Sequence, residues 1–241
     1  MLKKPGFKTI FVLELIIRQA SMRETLQQIR IDLRKSMNGV TSKSMREKGL
    51  NYKLNFGVDI PRLRDLSKRY PADSQLAELL WKQETRELKI LATMLCPARE
   101  FNIENAETWV KEIPNQEIRE QVCMNLFQKL NFADKLIQNW TNSSDEEIRT
   151  TGYWLFARLL IIRSDLVKNI DEKVLVDKMI SDLSSNSYFL RLSAQNALKF
   201  LGRDSKELSQ KILTELKSFK TSEDPVKNEI YDSLSFEFTD F

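Results

Sequence analysis

The sequence predicts an all-α fold, a curved stack of helical pairs, and three features lead there. Apolar residues recur at intervals of three and four along nearly the whole chain, with no sustained alternation of the kind a strand needs. Six glycines and six prolines are few breaks for 241 residues. A basic residue near the start of an apolar segment, followed three positions later by a small or apolar one, recurs: Lys89 before Ala92, Arg119 before Val122, Arg149 before Gly152, Arg191 before Ala194 and Lys227 before Ile230. The spacings between these basic residues are 30, 30, 42 and 36 residues, the scale of a two-helix repeat.

In chain order, the periodicity predicts helices over 22–36, 42–49, 60–70, 73–82, 85–95, 103–112, 115–129, 132–140, 145–162, 171–183, 187–201, 204–218 and 224–235. Asp73, Asp145 and Ser222 start helices, with side chains suited to the unpaired amides and positive end of a first turn. Pro61, Pro71, Pro97, Pro114 and Pro225 fall at boundaries, where a missing amide is tolerated. Gly202 follows a long apolar helix and is expected to cap it. Ahead of these lies MLKKPGFKTIFVLELIIRQAS, residues 1–21, with a basic start and an apolar centre that Glu14 interrupts. That run is too short to span a bilayer, and its charge spoils the pattern of a signal peptide. The expected organisation is an N-terminal extension or docked first helix over 1–21, then one helical-repeat domain over 22–241.

Composition excludes several chemistries. The chain has no histidine, which removes Ser-His-Asp and Cys-His nucleophile systems and most zinc sites. Cys96 and Cys123 lie on apolar helical stretches without a CxxC pair, as expected of buried thiols in a reducing cytoplasm. Neither metal nor cofactor is expected. Net charge is +3 over residues 1–21, +6 over 22–95, −3 over 96–160 and −2 over 161–241, so the basic excess is N-terminal.

Two readings of the repeated basic residues are open. In a helical pair, a cation near the start of the second helix sits at the inner rim of the stack, while the small residue three later enters the packing seam. Lys89, Arg119, Arg149 and Arg191 either face a ligand there or bond carboxylates and helix ends of the neighbouring repeat. Gly152 and Ala194 would permit close helix approach. Trp81, Trp109, Trp140 and Trp154 are expected in the core or the seams. Tyr153 and Tyr188 are candidates for the concave side.

The segment NFGVDIPRLRDLSKRY, Asn55 to Tyr70, and the run LAELLWKQETRELKILATML, Leu76 to Leu95, resemble the DNA alkylation repair family, the AlkD-like group of HEAT-repeat DNA glycosylases. The shared features are Gly57, Val58, Ile60, Pro61, Leu63 and Arg64, then Leu80, Trp81, Glu84, Arg86, Glu87 and Lys89. The resemblance covers most of Met22 to Leu201. It implies a HEAT-like right-handed solenoid whose concave face holds duplex DNA, and excision of cationic N3- or N7-alkylated purines without flipping the base into a pocket. Such a base is already a charged leaving group, so a carboxylate that stabilises the developing sugar cation and orients water suffices.

The sequence departs from that pattern. The family's W-D-x-x-D-Q-V stretch corresponds to Gln116-Glu117-Ile118-Arg119-Glu120-Gln121-Val122, which places Glu120 at the catalytic aspartate and Gln116 at an aromatic. Thr150 stands at a phosphate-binding arginine, with Arg149 beside it, and Asn196 at a later aromatic. Glu120 is either the surviving catalytic carboxylate or a surface group beside Arg119. The function expected is that of a monomeric DNA-binding protein of this family, with no membrane association. It would engage alkylated or distorted duplex DNA through Lys89, Arg119, Arg149 and Arg191, and any excision would rest on Glu120. The alternative is a non-catalytic helical scaffold for protein partners, which the acidic C-terminal half favours.

Overall fold

A computed structural model of the chain describes residues 7–50 and 52–239, and side chains from Ile17 onward. It is an all-α, HEAT-like helical-repeat fold; among the described residues the one β feature is an isolated bridge between Leu54 and Thr85. Two compact units form, one ending at Pro97 and one beginning at Ala98.

The first unit contains α1 (Phe7–Lys35), α2 (Gly39–Glu47), α3 (Ile60–Ser67), α4 (Ser74–Trp81) and α5 (Arg86–Leu95). The expected 22–36 helix runs back to Phe7, so residues 7–21 belong to one continuous helix. Leu26, Ile29 and Leu33 form its buried stripe at helical spacing. The α4–α5 pair closes over Leu76, Ala77, Leu80, Leu88, Leu91 and Leu95. Asp73 caps α4 by accepting the Leu76 amide at 2.7 Å, a contact worth about 1 kcal/mol.

The loop before α3 is held by the residues that carry the family resemblance. Glu87, fully buried, accepts the amides of Phe56 at 3.0 Å and Val58 at 3.3 Å. Arg86, 1 % exposed, donates to the Val58 carbonyl at 2.7 Å and to Glu87 at 3.0 Å. Gly57 between them has φ 68°, a left-handed conformation that a side chain disfavours. A Cβ there would also lie 2.2 Å from the Asn38 carbonyl oxygen. The Gly57-Val58 and Arg86-Glu87 halves of the signature therefore lock one another.

The second unit contains α6 (Ile103–Lys111), α7 (Gln116–Asn125), α8 (Ala133–Trp140), α9 (Glu146–Ile161), α10 (Glu172–Asp182), α11 (Tyr188–Gly202), α12 (Lys206–Glu215), α13 (Lys217–Lys220) and α14 (Pro225–Glu237). Helix α9 packs on both α7 and α11, so the second helices of successive pairs lie side by side. Trp109 and Trp140 are buried, as is Trp81 in the first unit, and Trp154 is half-buried. The expected 115–129 helix breaks at Leu126, whose φ −125° and ψ −64° leave the helical region, and a short 3-10 turn follows. The expected 204–218 helix divides into α12 and α13, and Asp224, not Ser222, caps α14.

Two glycines permit close approach. A Cβ on Gly152 would lie 2.8 Å from Thr141 Cγ2 and 3.1 Å from the Thr141 amide nitrogen, which explains the glycine in the α8–α9 seam. Gly202 is the last residue of α11 and Arg203 is its C-cap, so the expected capping role is absent. The Phe238 ring covers it instead, within 2.3 Å of where a Cβ would stand.

Candidate nucleic-acid interface

Four of the five basic residues of the recurrence occupy the same helical register, and Lys227, three residues after the N-cap Asp224, does not. Lys89, Arg119, Arg149 and Arg191 all stand four residues after an N-cap, namely Thr85, Asn115, Asp145 and Ser187. A cation in a first turn opposes the helix dipole, by about 0.3–1 kcal/mol, so each position needs compensation. Because side chains lean toward the N-terminus of their helix, these groups reach back over the preceding loop.

The compensation differs from repeat to repeat. Lys89 donates to the Trp81 carbonyl at 2.7 Å, and its ammonium lies 4.6 Å from the Trp81 ring centroid. Arg119 is 1 % exposed; it donates to Thr151 Oγ1 at 3.1 Å and Gln116 Oε1 at 2.6 Å, and forms an ion pair with Glu147 of the next repeat. Arg149 meets Asp182 of the next repeat with Nε at 3.1 Å and Nη2 at 3.3 Å, while Nη1 takes the Ser143 carbonyl at 3.0 Å. Tyr153, buried, donates its hydroxyl to the same Asp182 at 2.7 Å; burial, then that hydrogen bond, pushes its pKa far up. Arg191 repeats the loop contact of Arg149, donating to the Ser185 carbonyl at 2.6 Å. Among the described residues it has no carboxylate partner. Arg191 thus differs from Arg119 and Arg149, which each form an ion pair with the next repeat.

At the positions that resemble the family's reaction centre, the protein's own groups engage one another. Gln116 donates to Glu120 Oε1 at 3.1 Å while accepting from Arg119. Glu120 is half-buried; burial, the largest influence, raises its pKa above the ordinary carboxylate value, Glu117 adds to this, and the Gln116 hydrogen bond opposes it. Thr150 is fully buried and donates to the Glu146 carbonyl at 2.7 Å within its own helix. Asn196 is half-buried on α11. Among the described residues no cluster of acidic and cysteine side chains could hold a metal ion.

The carboxylates Glu147 and Asp182, which complete the ladder, carry no signal in the sequence, since each meets its arginine across a repeat. Tyr188 is 62 % exposed, beside Phe189, with ring centroids 5.4 Å apart. Among the described residues no helix is long and apolar enough to cross a membrane.

Repeated helical pairs with a basic residue at one register define a helical-repeat protein of the HEAT-like class. The match of residues 29–223 to the DNA alkylation repair enzyme family is decisive at the next level: the chain belongs to that family. No curated protein matches it in sequence. A solved structure from a family related to the HEAT-like repeat DNA glycosylases, with affinity for branched DNA structures, superposes with a TM-score of 0.71 at 16% identity, over 89% of this chain and 96% of that one. A designed armadillo repeat protein in complex with a (KR)4 peptide gives a TM-score of 0.44 at 14% identity, over 92% of both chains.

Proposed function

We propose that this protein binds distorted or branched duplex DNA and does not excise alkylated bases. The observation that carries the reading is the contrast along the ladder. Arg119 and Arg149 pair with Glu147 and Asp182, whereas Arg191, on the same helical register, forms no ion pair among the described residues. Free guanidinium charge on a repeat surface suits a phosphate, which a planar donor fork can grip. In this reading Arg119 and Arg149 support the surface by fixing neighbouring repeats. Lys89 and the positive surplus of residues 22–95 add phosphate attraction in the first unit. The affinity of the structural relative for branched DNA supports the choice of DNA.

The same geometry speaks against excision. Gln116 replaces an aromatic group and is bonded to Glu120 and Arg119, and Thr150 cannot reach a phosphate from inside the helix packing. The carboxylate of Glu120 is left without the groups that would place a sugar against it. The test is anisotropy titration of paired duplex, four-way junction and N7-methylguanine duplex at several salt concentrations, with a base-release assay on the last. Salt-dependent binding, tighter on the junction, with no released base is expected. Release of N7-methylguanine that Glu120→Gln abolishes would restore the glycosylase reading, and absence of any DNA binding would favour the protein scaffold.

A further inference from the structure

The groove between α11 and α14 gives Arg191 a setting. It encloses about 420 Å³ and is lined by Tyr188, Arg191, Gln195, Val226, Glu229 and Ser233 among others. That volume lies within the range of small-ligand pockets, roughly 300–1,000 Å³. Tyr188, Arg191 and Gln195 stand on α11 at positions 188, 191 and 195, one face of a helix by the three-and-four rule. Glu229 and Ser233 stand four apart on α14 and share a face there. The groove therefore combines an exposed aromatic ring, a guanidinium without a carboxylate partner among the described residues, a side-chain amide and a carboxylate.

We propose that this groove holds a single unpaired nucleotide of the DNA, its base stacked on Tyr188, its hydrogen-bonding edge met by Gln195 and Glu229, and its phosphate held by Arg191. The proposal rests on the DNA-binding reading and sharpens it, since an unpaired nucleotide is what a branched or distorted duplex offers and an intact one does not. Each group has a separate task. An aromatic face stacks any base, Arg takes the backbone, and a carboxylate accepts from amino groups such as cytosine N4. Glu229 also disfavours a second phosphate in the groove, which limits the site to one nucleotide. A purely phosphate-binding surface would need neither Tyr188 nor Glu229.

The test compares the full-length protein on two oligonucleotides, a fully paired duplex and the same duplex carrying one unpaired cytosine. Wild type should favour the bulged duplex. Tyr188→Ala should lower affinity for the bulge by about tenfold, the scale of one lost stacking contact, and leave the paired duplex unchanged. Tyr188→Phe, which keeps the ring, should behave as wild type, and the 62 % exposure of Tyr188 means that neither change burdens the fold. Equal wild-type affinity for the two duplexes, or equal loss on both in Tyr188→Ala, would overturn the nucleotide pocket while leaving DNA binding intact. Failure of wild type to bind either duplex would overturn both proposals.

Discussion

Asp182 faces Arg149 across a repeat boundary, accepting Nε and Nη2 on its two carboxylate oxygens at 3.1 and 3.3 Å. The side chains are 18% and 17% exposed, and Tyr153 donates to the same carboxylate. A single acceptor thus joins two donors of α9 to the end of α10. Asp182→Ala leaves a largely buried guanidinium and a buried phenol without it. Breaking a fully buried pair costs about 3–5 kcal/mol, and partial exposure here lowers the expectation to about 2–3 kcal/mol. Thermal unfolding should show the loss, and a midpoint within experimental error of wild type would make the contact incidental.

Glu87 should be more sensitive still. It is fully buried, accepts two backbone amides of the loop before α3, and faces the buried Arg86 guanidinium. Glu87→Ala removes the acceptor of both amides and the carboxylate beside the buried Arg86, and should destabilise the first unit by about 3–5 kcal/mol. Hydrogen exchange at the Phe56 and Val58 amides would register it directly. Protection there equal to wild type would show that the loop is held by other contacts.

These contacts mark the limit of what the sequence discloses. Helices were legible because the core needs apolar residues at three and four, and Asn, Asp and Ser caps fix many starts. The break at Leu126 was not, because that residue continues the apolar period and is as buried as its helical neighbours Val122 and Cys123. Gly202 suggested a cap through local chemistry, whereas its role is to admit Phe238, 36 residues away. The basic register was visible as a recurrence, but Glu147 and Asp182 sit about a repeat away from their arginines. The groove of Tyr188, Arg191 and Glu229 escaped for the same reason, since its two helices are not consecutive. The signature at Gly57, Val58, Arg86 and Glu87 identified the family through residues that serve the fold.

The carboxyl of Glu120 predicts a pH dependence with a definite sign. Its folded pKa is raised above the ordinary value, chiefly by burial, so the native state holds its proton more tightly than the unfolded chain. Stability therefore falls as pH rises from the unfolded value through the folded one, and the penalty is fully present above both. Glu120→Gln keeps an acceptor for Gln116 and removes the charge. It should raise the unfolding midpoint at neutral pH, with the difference from wild type closing in the acid range below the ordinary carboxylate pKa. A variant less stable than wild type at neutral pH would mean that the carboxylate is held by favourable contacts outweighing its desolvation.

Arg149 and Arg191 occupy the same register, yet their replacements should have opposite signatures. Arg149 is committed to Asp182 and to the Ser143 carbonyl, so Arg149→Gln should cost stability and leave the salt dependence of DNA binding nearly unchanged once the protein is folded. Arg191 has only the Ser185 carbonyl among the described residues, and Arg191→Gln should leave the fold intact. If Arg191 meets one phosphate, its loss should reduce the magnitude of the slope of log Kobs against log salt by about 0.9. The pair of variants separates a structural arginine from a phosphate-binding one without relying on affinity alone. An unchanged slope in Arg191→Gln, or an equal drop in both variants, would remove the special place given to Arg191 and return the ladder to a uniform structural role.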